Sequence, residues 1–252
     1  MGPIKETFKT IIFAGVVAVI FRTFLYEPFH IPSGSMEPTL REGDYLFVSK
    51  FVYGFSSFSL PFGLPIISGR IFFTPPKIGD VIVFKLPLDN KTDYIKRIVG
   101  LPGDTVSVKE GILHINGLPV HRATEEGNES TFKGTLYVET LPNGVSHQIL
   151  ERSDEEHLDE TQEFTVPEDH YFALGDNRDN SNDSRRIVGF IPSKNLVGKA
   201  EIIFYSHNGK ARFWEAWKWP IAIRYNRLFL SLIHISEPTR PRLISYAVFC
   251  LK

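Results

Sequence analysis

Asp93-Tyr94-Ile95-Lys96-Arg97-Ile98-Val99-Gly100 reads as a β-strand, and Leu101-Pro102-Gly103-Asp104 ends it with a turn. Tyr94, Lys96 and Ile98 alternate onto one face of that strand, which sets a lysine among apolar neighbours. Two readings of Lys96 are open. On an edge strand it points at water. Buried among Ile95, Ile98 and aromatic groups, its ammonium is disfavoured and its pKa falls. A lysine brought from about 10.4 to near 8, a change of about 3 kcal/mol, can serve as a general base.

The segments on either side also read as strands and turns. They are Asp44–Lys50, Gly79–Lys85, a hairpin over Thr105–Val120 turning at Asn116-Gly117, His170–Leu174, and two strands around Pro192 within Ile187–Phe204. With 21 Phe, 9 Tyr and 17 Pro in 252 residues, the chain favours a β architecture over a helical bundle. A net charge of −1 without a long block of one sign argues against a nucleic-acid partner. Cys250 is the only cysteine, so no internal disulfide forms.

Phe8 to Tyr26 is mostly apolar and as a helix spans about 28 Å, close to a bilayer's hydrocarbon thickness. The downstream Thr23-Phe24-Leu25-Tyr26-Glu27-Pro28 lacks the small residues of a leader cleavage site, which favours an uncleaved anchor. Lys5 and Lys9 precede its uncharged stretch Thr10–Phe21 and Arg22 follows it, so the N-terminus is expected in the cytoplasm and the bulk of the chain outside. The expected organisation is a cytoplasmic tip and anchor over residues 1–26 and a β domain over 27–120 and 163–230. A peripheral polar insertion covers 121–162, and a tail at 231–252 resembles a cloning or sequencing scar. The apolar loop Tyr53–Pro76 fits core packing or lipid contact. The tryptophan cluster Trp214, Trp217 and Trp219 fits a membrane interface or core packing.

Ile31-Pro32-Ser33-Gly34-Ser35-Met36-Glu37-Pro38-Thr39-Leu40 follows the anchor. Prolines stiffen both approaches to Ser35, and Gly34 lets the backbone come close to a ligand. Ser35 trails Tyr26 by nine residues, about 30 Å at full extension, so it works near the membrane surface. The sequence has no Gly-x-Ser-x-Gly elbow, no zinc motif and no phosphate-binding loop. A Ser-x-x-Lys match at Ser130–Lys133 lacks its partner motifs. Asp179, Ser181 and Asp183 have calcium-loop spacing, but the loop's glycine is missing and Phe190 stands at the twelfth position. No metal or cofactor is expected. What remains is Ser35 and Lys96, 61 residues apart, and the sequence does not show that they meet.

Three stretches carry a resemblance: Pro32–Leu40, Asp93–Asp104, and Gly175-Asp176-Asn177-Arg178-Asp179-Asn180-Ser181-Asn182-Asp183-Ser184-Arg185. In this order, after an apolar segment, they resemble the three diagnostic boxes of bacterial type I signal peptidase, the leader peptidase. The resemblance implies an anchored, largely antiparallel β domain of coiled sheets, on the outer side of the bacterial inner membrane. Its partners would be signal peptides of secretory preproteins and the phospholipid bilayer. It implies that Ser35 attacks the scissile carbonyl and Lys96 moves the proton, with Ser181 orienting Lys96. The Ser35 N–H and the Ser33 hydroxyl would form the oxyanion hole. Asp183 and Arg185 would pair, as would Asp176 and Arg97. Phe29, Ile31, Met36, Leu40, Tyr94 and Ile95 would line pockets selecting Ala-x-Ala. The family often has two N-terminal spans; this sequence shows room for one. Two rivals are a self-cleaving LexA-type regulator, which the apolar N-terminus opposes, and an anchored non-catalytic binding protein, which does not require Ser35, Lys96 and Ser181 together.

Overall fold

The computed structural model describes residues 3–60, 67, 69–124, 132–153, 156–209 and 215–232. Phe62, Leu64 and Ile66 of the apolar loop, Ser130 of the Ser-x-x-Lys match, Trp214, and the tail beyond Leu232 lie outside the described residues.

Helix α1 covers Pro3–Phe24, about 33 Å of rise, and ends two residues before the expected boundary because Tyr26 enters the first strand. Its apolar side chains are exposed all round, Phe13 at 70%, so no face of it is turned into the protein core. Such a surface needs lipid rather than water.

The strands follow in chain order. They are β1 (Tyr26–His30), β2 (Asp44–Ser49), β3 (Phe55–Ser56), β4 (Arg70–Ile71), β5 (Val81–Lys85) and β6 (Asp93–Gly100). Then come β7 (Thr105–Lys109), β8 (Ile112–Ile115), β9 (Leu118–Pro119), β10 (His121–Thr124), β11 (Thr135–Thr140) and β12 (Ser146–Glu151). The last are β13 (Phe164–Thr165), β14 (His170–Leu174), β15 (Ile191–Pro192), β16 (Leu196–Ser206) and β17 (Leu230–Ser231). The main sheet runs β1-β2-β16-β5-β6-β14-β15, antiparallel throughout, with β17 on β16. β16 joins its two halves and carries register shifts at three places. Bulges of this kind bend a strand and raise its twist. Gly198 lies where β16 crosses β2 so closely that a Cβ would overlap the Ser49 carbonyl. The result is a curled sheet, mainly β as expected.

β5 shows why the sheet is buried on both faces. Val81 and Val83 face one apolar cluster with Leu46, Val48, Ile31, Met36 and Leu40, while Ile82 and Phe84 face a second with Ile98, Tyr171 and Ile191. A third cluster, around Val99, Leu113 and Phe172, seats the smaller β13-β7-β8-β9 sheet.

Two expected details change. The Thr105–Val120 hairpin is a three-strand meander: Glu110 and Gly111, both at positive φ, turn β7 into β8, and Asn116-Gly117 turns β8 into β9. The two strands expected around Pro192 form as β15 and β16, but Pro192 lies inside β15 rather than between them, at the sheet edge, where its missing N–H is tolerated. The described part of the apolar loop is divided between the core and the surface. Tyr53 and Phe58 pack on the core, whereas Phe72 is 85% exposed. Trp217 and Trp219 are exposed, which removes core packing as their explanation.

Candidate active site

Ser35 and Lys96 meet. Gly34–Met36 forms one turn of 3-10 helix directly after β1, and Lys96 projects from β6. Three strands separate β1 from β6 in the sheet order, so the curl of the sheet is what closes the gap. Lys96 Nζ stands 2.8 Å from Ser35 Oγ and 2.8 Å from the Ile95 carbonyl. It also lies 5.6 Å from the Tyr94 ring centre, as expected for residues on one strand face.

Lys96 is 3% exposed. Burial pushes its pKa down to about 8, partly offset by the Asp183 and Asp176 carboxylates, which favour the ammonium. The edge-strand reading, with Lys96 in water, does not hold. Part of the edge is nonetheless open. β14 pairs with β6 only as far as Leu174 opposite Arg97, so the outer side of Asp93–Lys96 has no strand partner among the described residues.

The polar loop after β14 holds the serine turn from behind. Asn177 donates its backbone N–H to the Ser35 carbonyl at 3.2 Å and its side-chain amide to the Gly34 carbonyl at 3.0 Å. Gly175 must be glycine here, because a Cβ would overlap both Ser181 Oγ and the Ser35 carbonyl oxygen. Neither Gly175 nor Asn177 had a role in the sequence reading, although both stand in the third box.

The expected ion pairs form. Arg97 grips Asp176 with Nε and Nη2 at 2.8 and 2.7 Å and donates Nη1 to the Gly79 carbonyl. Asp183 receives Arg185 at both oxygens, 3.0 and 2.9 Å, and also the Gly175 N–H. Burial alone would raise the Asp183 pKa, but Arg185 and the backbone N–H donors bring it below the ordinary carboxylate value. With its oxygens engaged in this way, Asp183 is not offered to a calcium ion, and Asp179 accepts the Arg152 N–H instead.

Ser181 is the exception. It is buried at the site, yet its hydroxyl has no hydrogen-bond partner, and the expected contact with Lys96 is not made. Ser33 is exposed, in extended backbone just before the turn. The first N–H groups of a helical turn have no partner inside it, and Ser35 stands in this first turn.

Of the expected pocket residues, Ile31, Met36 and Leu40 are buried in one cluster, with Phe29 and Ile95 against it and partly accessible. Tyr94 packs on the second cluster, apart from them. A cavity of about 610 Å³ opens beside Phe29 and Asp93, between the last turns of α1 and the beginnings of β1 and β6.

A family model described as "Signal peptidase, peptidase S26" matches residues 4–205. The chain belongs to this family. Signal peptidase I of Rickettsia typhi is 37% identical over 93% of this chain and 96% of its own length. Signal peptidase I of Rickettsia canadensis is also 37% identical, over 92% of this chain and 95% of its own. A crystal structure of a signal peptidase I from Enterococcus faecalis is 27% identical and covers 50% of this chain and 97% of that one, at a TM-score of 0.31. Membership of the signal peptidase family makes the chain a signal-peptide-removing serine peptidase, and the regulator and scaffold readings are not favoured.

Proposed function

We propose that the chain is a membrane-anchored endopeptidase that cuts secretory preproteins after an Ala-x-Ala site with a Ser35–Lys96 dyad. The observation that carries this is the 2.8 Å contact between Ser35 Oγ and a lysine whose burial brings its pKa to about 8. Neutral Lys96 takes the Ser35 proton as Oγ bonds to the scissile carbonyl carbon. The oxyanion that develops is received by the Ser35 N–H and the Ser33 hydroxyl. As the C–N bond breaks, the Lys96 ammonium gives its proton to the leaving amine. Lys96 then takes a proton from the water that attacks the ester carbonyl and returns it to Ser35 Oγ as the ester C–O bond breaks, which releases the acid and restores the pair. A rotation of the buried, unpartnered Ser181 hydroxyl lets it accept from the ammonium formed in each step.

The open edge of β6 receives the substrate as an extended strand. Phe29 and Ile95 then touch its side chains, over a floor of Ile31, Met36 and Leu40. Residues upstream of the cut leave toward the 610 Å³ cavity beside α1, the side from which a segment emerging from the bilayer arrives. The N-terminus lies in the cytoplasm and the β domain on the outer face of the bacterial inner membrane, following Lys5 and Lys9 ahead of the uncharged stretch of the span. The test is cleavage of a preprotein with an Ala-x-Ala site in liposomes, with the product's mass giving the cut position. Wild type should cut after the second alanine and Ser35→Ala should not. Equal cutting by both would refute the assignment.

A further inference from the structure

The polar segment 121–162 is packed onto the back of the catalytic loop. Leu150 of β12 donates its N–H to the Asp176 carbonyl at 2.8 Å and bridges in parallel to Asn177. Beneath this seam lies a buried charge cluster. Arg178, the residue after Asn177, puts both terminal nitrogens on Glu139 of β11, Nη1 to Oε1 at 2.9 Å. Arg97 holds Asp176 on the other side. His147 of β12 sits between the two pairs, with Nε2 3.4 Å from Glu139 and 3.8 Å from Asp176. Neither of its ring nitrogens makes a hydrogen bond. Burial first, then the charges of Arg97 and Arg178, push the His147 pKa well below its ordinary value and keep the ring neutral.

The arrangement balances two guanidinium groups against two carboxylates around a neutral ring. It touches neither Ser35 nor Lys96. It does hold the loop that hydrogen-bonds the Ser35 turn and carries the two carboxylates that act on Lys96: Arg178 fixes the short helical turn Arg178–Asn180 that leads into Ser181, and the Arg178 carbonyl accepts from Arg185 at 2.6 Å, the same Arg185 that holds Asp183. We infer that Glu139 is a positioning residue for the Ser35–Lys96 pair, acting through Arg178 and Asp176. The inference rests on the dyad reading above.

Removing the Glu139 charge frees Arg178 toward Glu151 and Asp176, the two remaining carboxylates that act on it. Arg178 then draws on one of the two carboxylates that favour the Lys96 ammonium. The Lys96 pKa falls further, so the midpoint of the pH–rate profile moves to lower pH. Because the cluster does not line the substrate path, kcat falls while KM holds.

The experiment uses the full chain in detergent micelles with an Ala-x-Ala preprotein, and measures kcat, KM and the pH midpoint. Cleavage by wild type and none by Ser35→Ala establishes the reading on which the inference rests; cleavage by neither refutes that reading. Glu139→Gln should then lose at least about 10-fold in kcat, with KM within about twofold and a lower midpoint. The double variant Glu139→Gln/Arg178→Gln restores charge balance, and should regain the wild-type midpoint and part of the lost kcat. A folded Glu139→Gln with wild-type kcat and midpoint overturns the inference. If Glu139→Gln alone does not fold, the double variant carries the test: a wild-type midpoint supports the inference and a shifted one overturns it.

Discussion

Replacing Lys96 by methionine should abolish cleavage and, at neutral pH, make the protein more stable. The ammonium is 3% exposed, and its pKa is about 8 against 10.5 for a free lysine. Between those values the unfolded chain holds a proton that the folded chain has lost, so stability rises with pH across this window. Below it, the folded state carries the whole penalty of a buried charge, about 3 kcal/mol at 1.36 kcal/mol per unit. Methionine matches the lysine stem and has no charge to bury. It leaves the Ile95 carbonyl without its donor, at a cost of about 1 kcal/mol. The net gain near pH 7 is about 2 kcal/mol, equivalent to a Tm increase of about 4–8 °C for a domain of this size. Above pH 10.5 the gain disappears, and the variant becomes slightly the weaker. The assay is urea unfolding in detergent micelles at a series of pH values from 6 to 10.5, on wild type and Lys96→Met. A stability difference that does not change with pH, or a variant less stable than wild type at pH 7, would refute a buried lysine with a depressed pKa.

Other expectations concern the loop that frames the pair. Gly175→Ala forces a methyl group against Ser181 and the Ser35 carbonyl, so kcat should fall about 100-fold through displacement of the serine turn, read by steady-state cleavage. Asp183→Asn leaves the Arg185 guanidinium buried beside a neutral amide and should destabilise the fold by about 3–5 kcal/mol at pH 7, read by urea unfolding. Its acid limb should change as well. The Asp183 contribution is present above the ordinary carboxylate pKa and is lost as pH falls through its lowered folded value, so the variant should lose less stability than wild type on acidification.

The strand Asp93–Gly100 was legible because alternation and flanking turns are local signals, whereas the choice between a water-facing and a buried Lys96 was not, since it depends on what packs over the strand. The partnership of Ser35 with Lys96 was not, since it depends on the curl of a sheet with three intervening strands, and only resemblance joined the two residues beforehand. The ion pairs of Asp176 and Asp183 came from the same resemblance. Glu139 and His147 went unread because buried charges that balance one another have the composition of a solvated surface; Glu139 and Glu151 look no different in sequence from the exposed Glu156. The turn at Glu110-Gly111 was missed because a glutamate at positive φ is uncommon, and Asn116-Gly117 nearby carried the stronger turn signature. Ser181 was expected to contact Lys96, and its hydroxyl is instead unpartnered, a side-chain rotation that no sequence pattern specifies.

The claim on which the rest depends is that Lys96 works as a neutral base on Ser35. The most direct measurement is the pH dependence of kcat/KM for wild-type cleavage of an Ala-x-Ala preprotein in liposomes. The account predicts a rate that rises about tenfold per pH unit on the acid side and levels off through a single ionisation near pH 8. A profile flat from pH 5 to 9, or one that rises through an ionisation near 6.5 as a histidine base would give, would contradict it.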